Sequence, residues 1–600
     1  MNALTEVDER ETISTVDILV NQDTDQVRLA RQLATIEIKS WLPSIKGNRT
    51  RPLDYLQDLL LGFEQSYLSL LEQLPEVRER VDAASAHNVR SVLRNTSIYG
   101  MFLMESTHPI YASSATRLHG LFAKLAIAVE FQPAFRGVLD DEVAQLMQFD
   151  VPAFYTCLKS PLVKGLLGNE MPFYGRSPLQ AFQANLAVFS PQDCARQQSW
   201  IRRMLGRTSY PRSGLETSAG MEFVRALGNW LLSQAECVEG DGSISWLQIM
   251  LPEESGEVLP LPPTLYSGLA GMLFAYSAFA HELAEPAFDA ACLRLRAMLR
   301  ADVQRMIADG EDPSLFQGCA GVLYALLQDA RLHSDPEQLE FVRVHARALS
   351  LHPLPTGAHD VISGRAGMML FLCALLEDVE DPTLVKALEK LGIELMASRN
   401  SDLCSWSSEH GDCLGGFSHG NSGIAHALIR AGERLAREDF ITLGSEALAF
   451  EDSRYNTEQA NWPDLRKQTG AVFNASWCNG SVGYLISRSA HLKRLPEENV
   501  AFFKQAMQSL LQQTDFETDS LCHGSAGVLD ILIDTHHRHP ELVSATQLQD
   551  GLLRVLRAAP LRSGSRDCDA PGLMTGLAGI AYAVLRCCRP RLPSVLSVLH

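Results

Sequence analysis

The sequence predicts an all-α protein whose C-terminal part is a closed double ring of helices, an α/α toroid of seven helical hairpins. Two observations carry this expectation. A GxxG pattern followed by an apolar helical run recurs seven times between Gly268 and Gly579, with first glycines spaced by 44 to 60 residues. A period near fifty is one supersecondary unit that cannot bury its apolar face alone. Runs such as GMLFAYSAFAHEL after the first pattern are apolar nearly all round, whereas second stretches such as PTLVKALEKLGIELMAS carry charges on one face. An inner set of buried helices inside an outer amphipathic set makes two concentric rings.

Composition agrees with a large soluble body. A chain of 600 residues with 46% hydrophobic and 20% charged residues is ordinary for globular protein and too long for one small core. The formal net charge of −19, with no compensating basic stripe, argues against nucleic acid as a partner. The start MNALTEVDERETIST has neither the basic nor the apolar region of a secretory signal. The longest uncharged run, Val258 to Ala280, opens with Pro260, Pro262 and Pro263, and its helical part falls short of the ~20 residues of a membrane span. No integral membrane segment and a cytoplasmic location are therefore expected. Thirteen cysteines scattered over such a chain point to reduced thiols rather than a disulfide framework.

In chain order, residues 1–45 are polar and weakly periodic, a candidate flexible arm. Residues 46–212 lack the repeat and read as helical segments, for example DYLQDLLLGFEQSYLSLLEQLPEVRERVDAA and DDEVAQLMQF. A transition at Arg207 to Ser218 leads into the toroid, residues 213–600. Its repeats open with YSGLAG, FQGCAG, ISGRAG, SHGNSG, CNGSVG, CHGSAG and MTGLAG, whose first glycines are Gly268, Gly318, Gly364, Gly420, Gly480, Gly524 and Gly576. Glycine at a helix start permits close backbone approach and unusual dihedrals, so each pattern marks a tight loop-to-helix junction.

The candidate chemistry lies just ahead of these glycines. Cys478 and Cys522 each stand two residues before the first glycine of their repeats, His419 and His523 one before, and Asp360 four before. A closed ring gathers loops of the same offset at one face. Cys478, Cys522 and His523 are then a candidate three-ligand metal site. Nitrogen and sulfur donors suit zinc, and three protein ligands leave the open fourth position of a catalytic centre. Cysteine is also among the most buried residue types, but two at one repeat offset, one beside a histidine, favour ligation over packing.

WCNG (Trp477 to Gly480), CHG (Cys522 to Gly524), SHG (Ser418 to Gly420) and DVISG (Asp360 to Gly364), together with the seven repeats, resemble the LanC family of lanthionine cyclases. The similarity covers roughly Ser218 to His600. It implies an α/α toroid holding Zn2+ through Cys478, Cys522 and His523, and an enzyme that closes thioether rings by adding a cysteine thiol of a ribosomal precursor peptide to dehydroalanine or dehydrobutyrine. The thiolate is the nucleophile, and a metal deprotonates a coordinated thiol near neutral pH. His419 is the candidate general acid for the resulting enolate. Asp360 matches a family aspartate at the active face, an orienting or charge-balancing residue, and is otherwise a helix N-cap or turn residue. Some cyclases of the family carry Arg four residues before the first zinc cysteine and Tyr just after it, where this chain has Asn474 and Asn479.

GFEQSYLSLL (Gly62 to Leu71), VRSVLRNTSIY (Val89 to Tyr99) and EVAQLMQFDVPAFY (Glu142 to Tyr155) look like the last third of the dehydratase domain of class II lanthipeptide synthetases, the LanM family. Arg90 and Thr96 match residues that family uses to eliminate phosphate from phosphorylated Ser or Thr, and are otherwise a surface cation and a capping hydroxyl. The first 210 residues contain no P-loop, Gly-rich kinase loop or HRD-type loop. Residues 46–212 are therefore expected to be a partial dehydratase-like domain, with phosphorylation left to a separately encoded dehydratase or kinase component. Two other readings stay open: a degenerate peptide-binding subunit of a split synthetase, and a LanC-like enzyme that adds glutathione-type thiols. HHRH (His536 to His539), just before Pro540 at an expected helix end, is read as a solvated terminus, and no functional role is expected of Cys404, Cys413, Cys587 or Cys588.

Overall fold

The structure, a computed structural model, describes residues 11–21, 27–37, 44–45, 48–49, 52–129, 133–166, 168–205, 220–237, 242–249, 258–355, 357–400, 405–406, 414–466, 472–558, 561–564 and 570–598. The chain divides into two units, one of residues 3–205 and one of residues 206–600. The transition read at Arg207 to Ser218, and Cys404 and Cys413, lie outside the described residues.

The N-terminal unit opens with β1 (Glu11–Val20), paired antiparallel along its whole length with β2 (Arg28–Glu37), so that Glu11 stands opposite Glu37 and Val20 opposite Arg28. Within residues 1–45, expected to be a polar arm, the described segments Glu11–Val20 and Arg28–Glu37 are strands: six of the ten β1 residues are Thr, Ile or Val, and stiff β-branched side chains favour extended backbone even in a polar stretch. Two-residue strands β3 (Ser44–Ile45) and β4 (Asn48–Arg49) follow.

Helices then dominate this unit: α1 (Leu56–Ala84), α2 (Thr96–Ser106), α3 (Pro109–Ala112), α4 (Ala115–Phe122), α5 (Leu139–Leu146), α6 (Pro178–Val188) and α7 (Pro191–Leu205). They flank an antiparallel sheet in the order β5 (Asn88–Ser91), β6 (Phe154–Cys157), β7 (Leu162–Lys164), β8 (Glu170–Pro172). At three or four residues each, these strands are too short for a period-2 pattern to stand out from the helical background. A buried Arg94–Glu142 pair, with the Tyr99 hydroxyl on the same carboxylate, ties α2 and the segment ahead of it to α5.

In the C-terminal unit every GxxG opens a helix. The inner helices are α9 (Leu269–Leu283), α11 (Cys319–His333), α13 (Arg365–Leu375), α15 (Asn421–Leu435), α17 (Ser481–His491), α19 (Ser525–Arg538) and α21 (Leu577–Cys588). Each packs on the next, and α21 packs on α9, which closes the ring. Their outer partners are α10 (Pro286–Asp309), α12 (Pro336–Leu349), α14 (Pro382–Ala397), α16 (Glu438–Asp452), α18 (Glu497–Gln512) and α20 (Ala545–Arg557). The seventh outer helix is not consecutive with its partner. It is α8 (Gly220–Ser233), upstream of the first repeat, which lies along α21 and buries Phe223, Val224, Leu227 and Leu231.

The loops ahead of the inner helices are stitched to one another. Backbone N–H groups donate to the neighbouring repeat's carbonyl from Tyr266 to Phe316 at 3.0 Å, Phe316 to Ile362 at 3.1 Å and Ile362 to Ser418 at 3.3 Å. The same pattern runs from Trp477 to Cys522 at 2.8 Å, Cys522 to Met574 at 2.8 Å and Met574 back to Tyr266 at 2.9 Å. The first glycine of each pattern is not needed for its dihedrals: Gly480 has φ −126 and ψ −175, ordinary extended backbone. A Cβ there would collide with the Asn474 carbonyl and the Ser476 amide, so close approach alone demands glycine.

Candidate functional site

The stitched loops deliver Cys478 from the start of α17 and Cys522 and His523 from the start of α19. The two sulfurs are 2.9 Å apart, and His523 Nε2 lies 3.8 Å from the Cys522 sulfur. One donor atom from each of the three residues lies within 4.8 Å of the others; among the described residues they form the group able to hold a metal ion. Both cysteines are buried and His523 is exposed. The sulfur separation is well beyond the ~2.05 Å of a disulfide, and both are free thiols.

These thiols are inequivalent. The hydrogen bond from Cys522, and then the neighbouring His523, hold Cys478 well below the usual thiol range against the opposing effect of burial. Burial and the adjacent Cys478 push Cys522 up. Of this coupled pair of soft sulfur donors, Cys478 is the more readily ionised. Burial opposes the charge on His523, but the hydrogen bond and charge of Cys478 outweigh it and raise its pKa.

Beside this pair, His419 Nδ1 lies 2.7 Å from Asp360 Oδ2. Asp360 uses its other oxygen to accept from the Ser363 amide at 2.8 Å and hydroxyl at 3.2 Å. It therefore serves both a turn and an orienting role. With Nδ1 committed to the carboxylate, Nε2 is the free edge of the imidazole. Burial lowers the pKa of half-buried His419, yet the Asp360 hydrogen bond and charge raise it more, with a further rise from Cys478.

The His419 loop is pressed against the Cys478 loop. Gly416 has φ +94, a left-handed conformation, and a Cβ there would strike the backbone of Cys478 and Asn479. Glu451 of α16 holds this loop from behind, accepting from the Gly416 amide at 3.3 Å and the Ser422 amide at 2.9 Å. Arg488 of α17 is fully buried and bridges Glu451 at 3.0 Å and Asp452 at 2.8 Å.

Two residues escaped the sequence reading. The Tyr266 hydroxyl donates to the Cys522 sulfur at 3.0 Å. Tyr266 stands two residues before Gly268, the offset of both cysteines, so the repeat register itself could have flagged it. Arg466 forms a fork to Asp464, with Nε to Oδ1 at 3.0 Å and Nη2 to Oδ2 at 2.7 Å. It belongs to the longest inter-repeat segment, between Gly420 and Gly480, where no offset rule applies.

The remaining candidates lie elsewhere. Arg90 is exposed on β5, opposite Tyr155 of β6, and Thr96 is the exposed first residue of α2. The cap of α2 is Asn95, whose side chain accepts from the Ser97 amide at 3.0 Å, so Thr96 is not a capping hydroxyl. Within HHRH, His536 Nδ1 lies 2.7 Å from the Val543 carbonyl and His539 Nε2 3.2 Å from the Ser489 carbonyl, both structural contacts. Cys587 and Cys588 end α21, where burial pushes their thiols up.

Residues 260–599 match the family described as lanthionine synthetase C-like protein, and residues 1–157 match a domain of unknown function, DUF4135. The chain is 20% identical over 614 aligned residues to the lacticin 481/lactococcin biosynthesis protein LcnDR2 of Lactococcus lactis subsp. lactis. That alignment covers 95% of this chain and 63% of LcnDR2, so the chain spans under two thirds of that relative's length. Among solved structures, a nisin cyclase aligns with a TM-score of 0.44 at 15% identity, covering 54% of this chain and 88% of that one. The LcnDR2 alignment runs through both matched regions. With its C-terminal match spanning more than half of all residues, the chain belongs to the lanthionine synthetase C-like family.

Proposed function

We propose that this chain is a zinc-dependent cyclase that adds cysteine thiols of a ribosomally made precursor peptide to dehydroalanine or dehydrobutyrine, forming lanthionine or methyllanthionine. The observation that carries the proposal is the convergence of Cys478, Cys522 and His523 beside an Asp360–His419 pair. The donor set fits zinc: two sulfurs and one imidazole nitrogen are the ligand types that this metal takes. When bound, zinc supplies Lewis acidity at a fourth position, where a substrate thiol ionises near neutral pH.

The chain's own residues account for the rest. Sulfur attack on Cβ of the dehydro residue moves the alkene electron pair toward the carbonyl oxygen and leaves an enolate. His419, whose protonated form the Asp360 carboxylate favours, delivers a proton to Cα from Nε2. The substrate thiol's proton replaces the one that His419 gives, so each ring closes without net consumption of acid. Asp360 fixes the imidazole plane through Nδ1 and stabilises its charged form.

The test uses the full chain, zinc and a dehydrated peptide with free cysteines. Ring closure consumes thiol without changing peptide mass, so loss of alkylatable thiol at constant mass is the expected result. Persistence of every thiol while the chain remains folded and zinc-loaded would refute the proposal.

A further inference from the structure

Thiol addition concentrates negative charge on the carbonyl oxygen of the attacked residue, and His419 is already assigned to protonating carbon. Arg466 is a cation held against the side chain of Asn479, the residue that follows Cys478. Its guanidinium is held on two sides: by the buried Asp464 carboxylate at 2.7 and 3.0 Å, and by Asn479, whose side-chain amide, turned so that its oxygen faces the guanidinium, accepts from Nη1 at 3.2 Å. Asn479 directly follows Cys478, so this second anchor ties the cation to the metal-site loop. The Asn474 amide reaches the same Asp464 carboxylate at 3.5 Å.

A guanidinium has five N–H donors in a rigid fork. Asp464 and Asn479 engage Nε, one N–H of Nη2 and one of Nη1, which leaves one donor on each terminal nitrogen among the described contacts. The side chain is half exposed, and its positive charge is felt by Cys478, Cys522, His419 and His523 alike. A cation that is fixed, open to substrate and within electrostatic reach of the thiol pair and the proton donor is what a developing oxyanion requires.

We propose that Arg466 is a catalytic residue that donates its two remaining N–H groups to the substrate carbonyl oxygen and stabilises the enolate until His419 protonates Cα. The C–S bond forms as the Cα–Cβ π bond breaks; the electron pair rests on the oxygen held by Arg466 and returns to form the Cα–H bond. No oxidant or further reactant is involved. Asn474 and Asn479 belong to the anchoring of this cation: the chain supplies the charge from residue 466 rather than from position 474.

This assignment rests on the cyclase reading above, and one experiment separates the two. Wild type, Arg466→Gln and Arg466→Lys full chains are compared in zinc content, in affinity for a dehydrated peptide whose cysteines are replaced by serine, and in single-turnover ring closure with the cysteine peptide. Arg466→Gln is expected to keep its zinc and bind the serine peptide within about 2-fold, yet close rings roughly 10²–10³-fold more slowly. Arg466→Lys, which keeps the charge without the fork, is expected to recover part of the rate. A wild type that closes rings while Arg466→Gln matches its rate overturns the assignment but not the cyclase. Loss of zinc or of peptide affinity large enough to account for the slower rate also overturns it, by making Arg466 a structural residue. A zinc-loaded wild type that closes no ring overturns both.

Discussion

In the proposed mechanism His419 and Asp360 divide the acid chemistry in a way that kinetics can resolve. His419→Asn is expected to slow ring closure by about 10²–10⁴ while zinc content stays at the wild-type value. Asp360→Asn keeps the acid but removes the carboxylate that raises its pKa. Activity needs protonated His419 and falls as pH rises through its pKa, so the alkaline limb of the pH–rate profile should move to lower pH in Asp360→Asn. An unmoved limb would mean that another group is the acid. Tyr266 acts one step further back: Tyr266→Phe removes the hydroxyl that donates to Cys522. Competition with a chromogenic chelator should show zinc bound about 10- to 100-fold more weakly, the usual cost of losing a partner of a metal ligand.

The GxxG helix starts, and hence the offsets of Cys478, Cys522, His523, His419 and Asp360, were legible in the sequence because one structural constraint repeats. A carbonyl crossing beneath each inner helix excludes a Cβ, as at Gly480, and that exclusion leaves a glycine at a countable interval. Arg466 was not legible because it reaches the site through an irregular loop and a pairing with Asp464 two residues away. The β5–β8 sheet was hidden by its short strands, and the β1–β2 pair by its polar composition. Between elements, the staple of α16 to α17 is the buried Arg488 fork on Glu451 and Asp452. Arg488→Met leaves two buried carboxylates without their cation, and urea denaturation should show a loss of about 3–5 kcal/mol. Because Glu451 also positions the His419 loop through the Gly416 and Ser422 amides, ring closure should fall together with stability. A variant as stable as wild type would contradict the staple.

At the scale of the molecule, the ring depends on contacts between segments far apart in sequence. The outer helix of the last hairpin is α8, so Leu227→Ala, which hollows the face of α8 buried in the ring, should cost about 2–5 kcal/mol. Ring stability should also carry a histidine signature. His491 Nε2 lies 3.0 Å from His426 Nδ1 between α15 and α17, and burial, with nearby arginines, lowers the His491 pKa to about 3. An unfolded imidazole titrates near 6.5. The unfolded chain therefore takes up this proton first as pH falls, and the stability present above pH 6.5 is lost by about 1.4 kcal/mol per pH unit below it. Between pH 7 and pH 5 the wild type should lose ~2 kcal/mol more than His491→Gln; equal losses would show that this histidine is not buried neutral. The central claim is that loops from separate repeats assemble one zinc centre. The most direct measurement of it is the zinc content of the full chain, purified under zinc-replete conditions, beside Cys478→Ala and Cys522→Ala. One equivalent per wild-type chain, lost in both folded variants, is the predicted result. A wild-type chain that is folded, with both thiols reduced, and free of metal would contradict it.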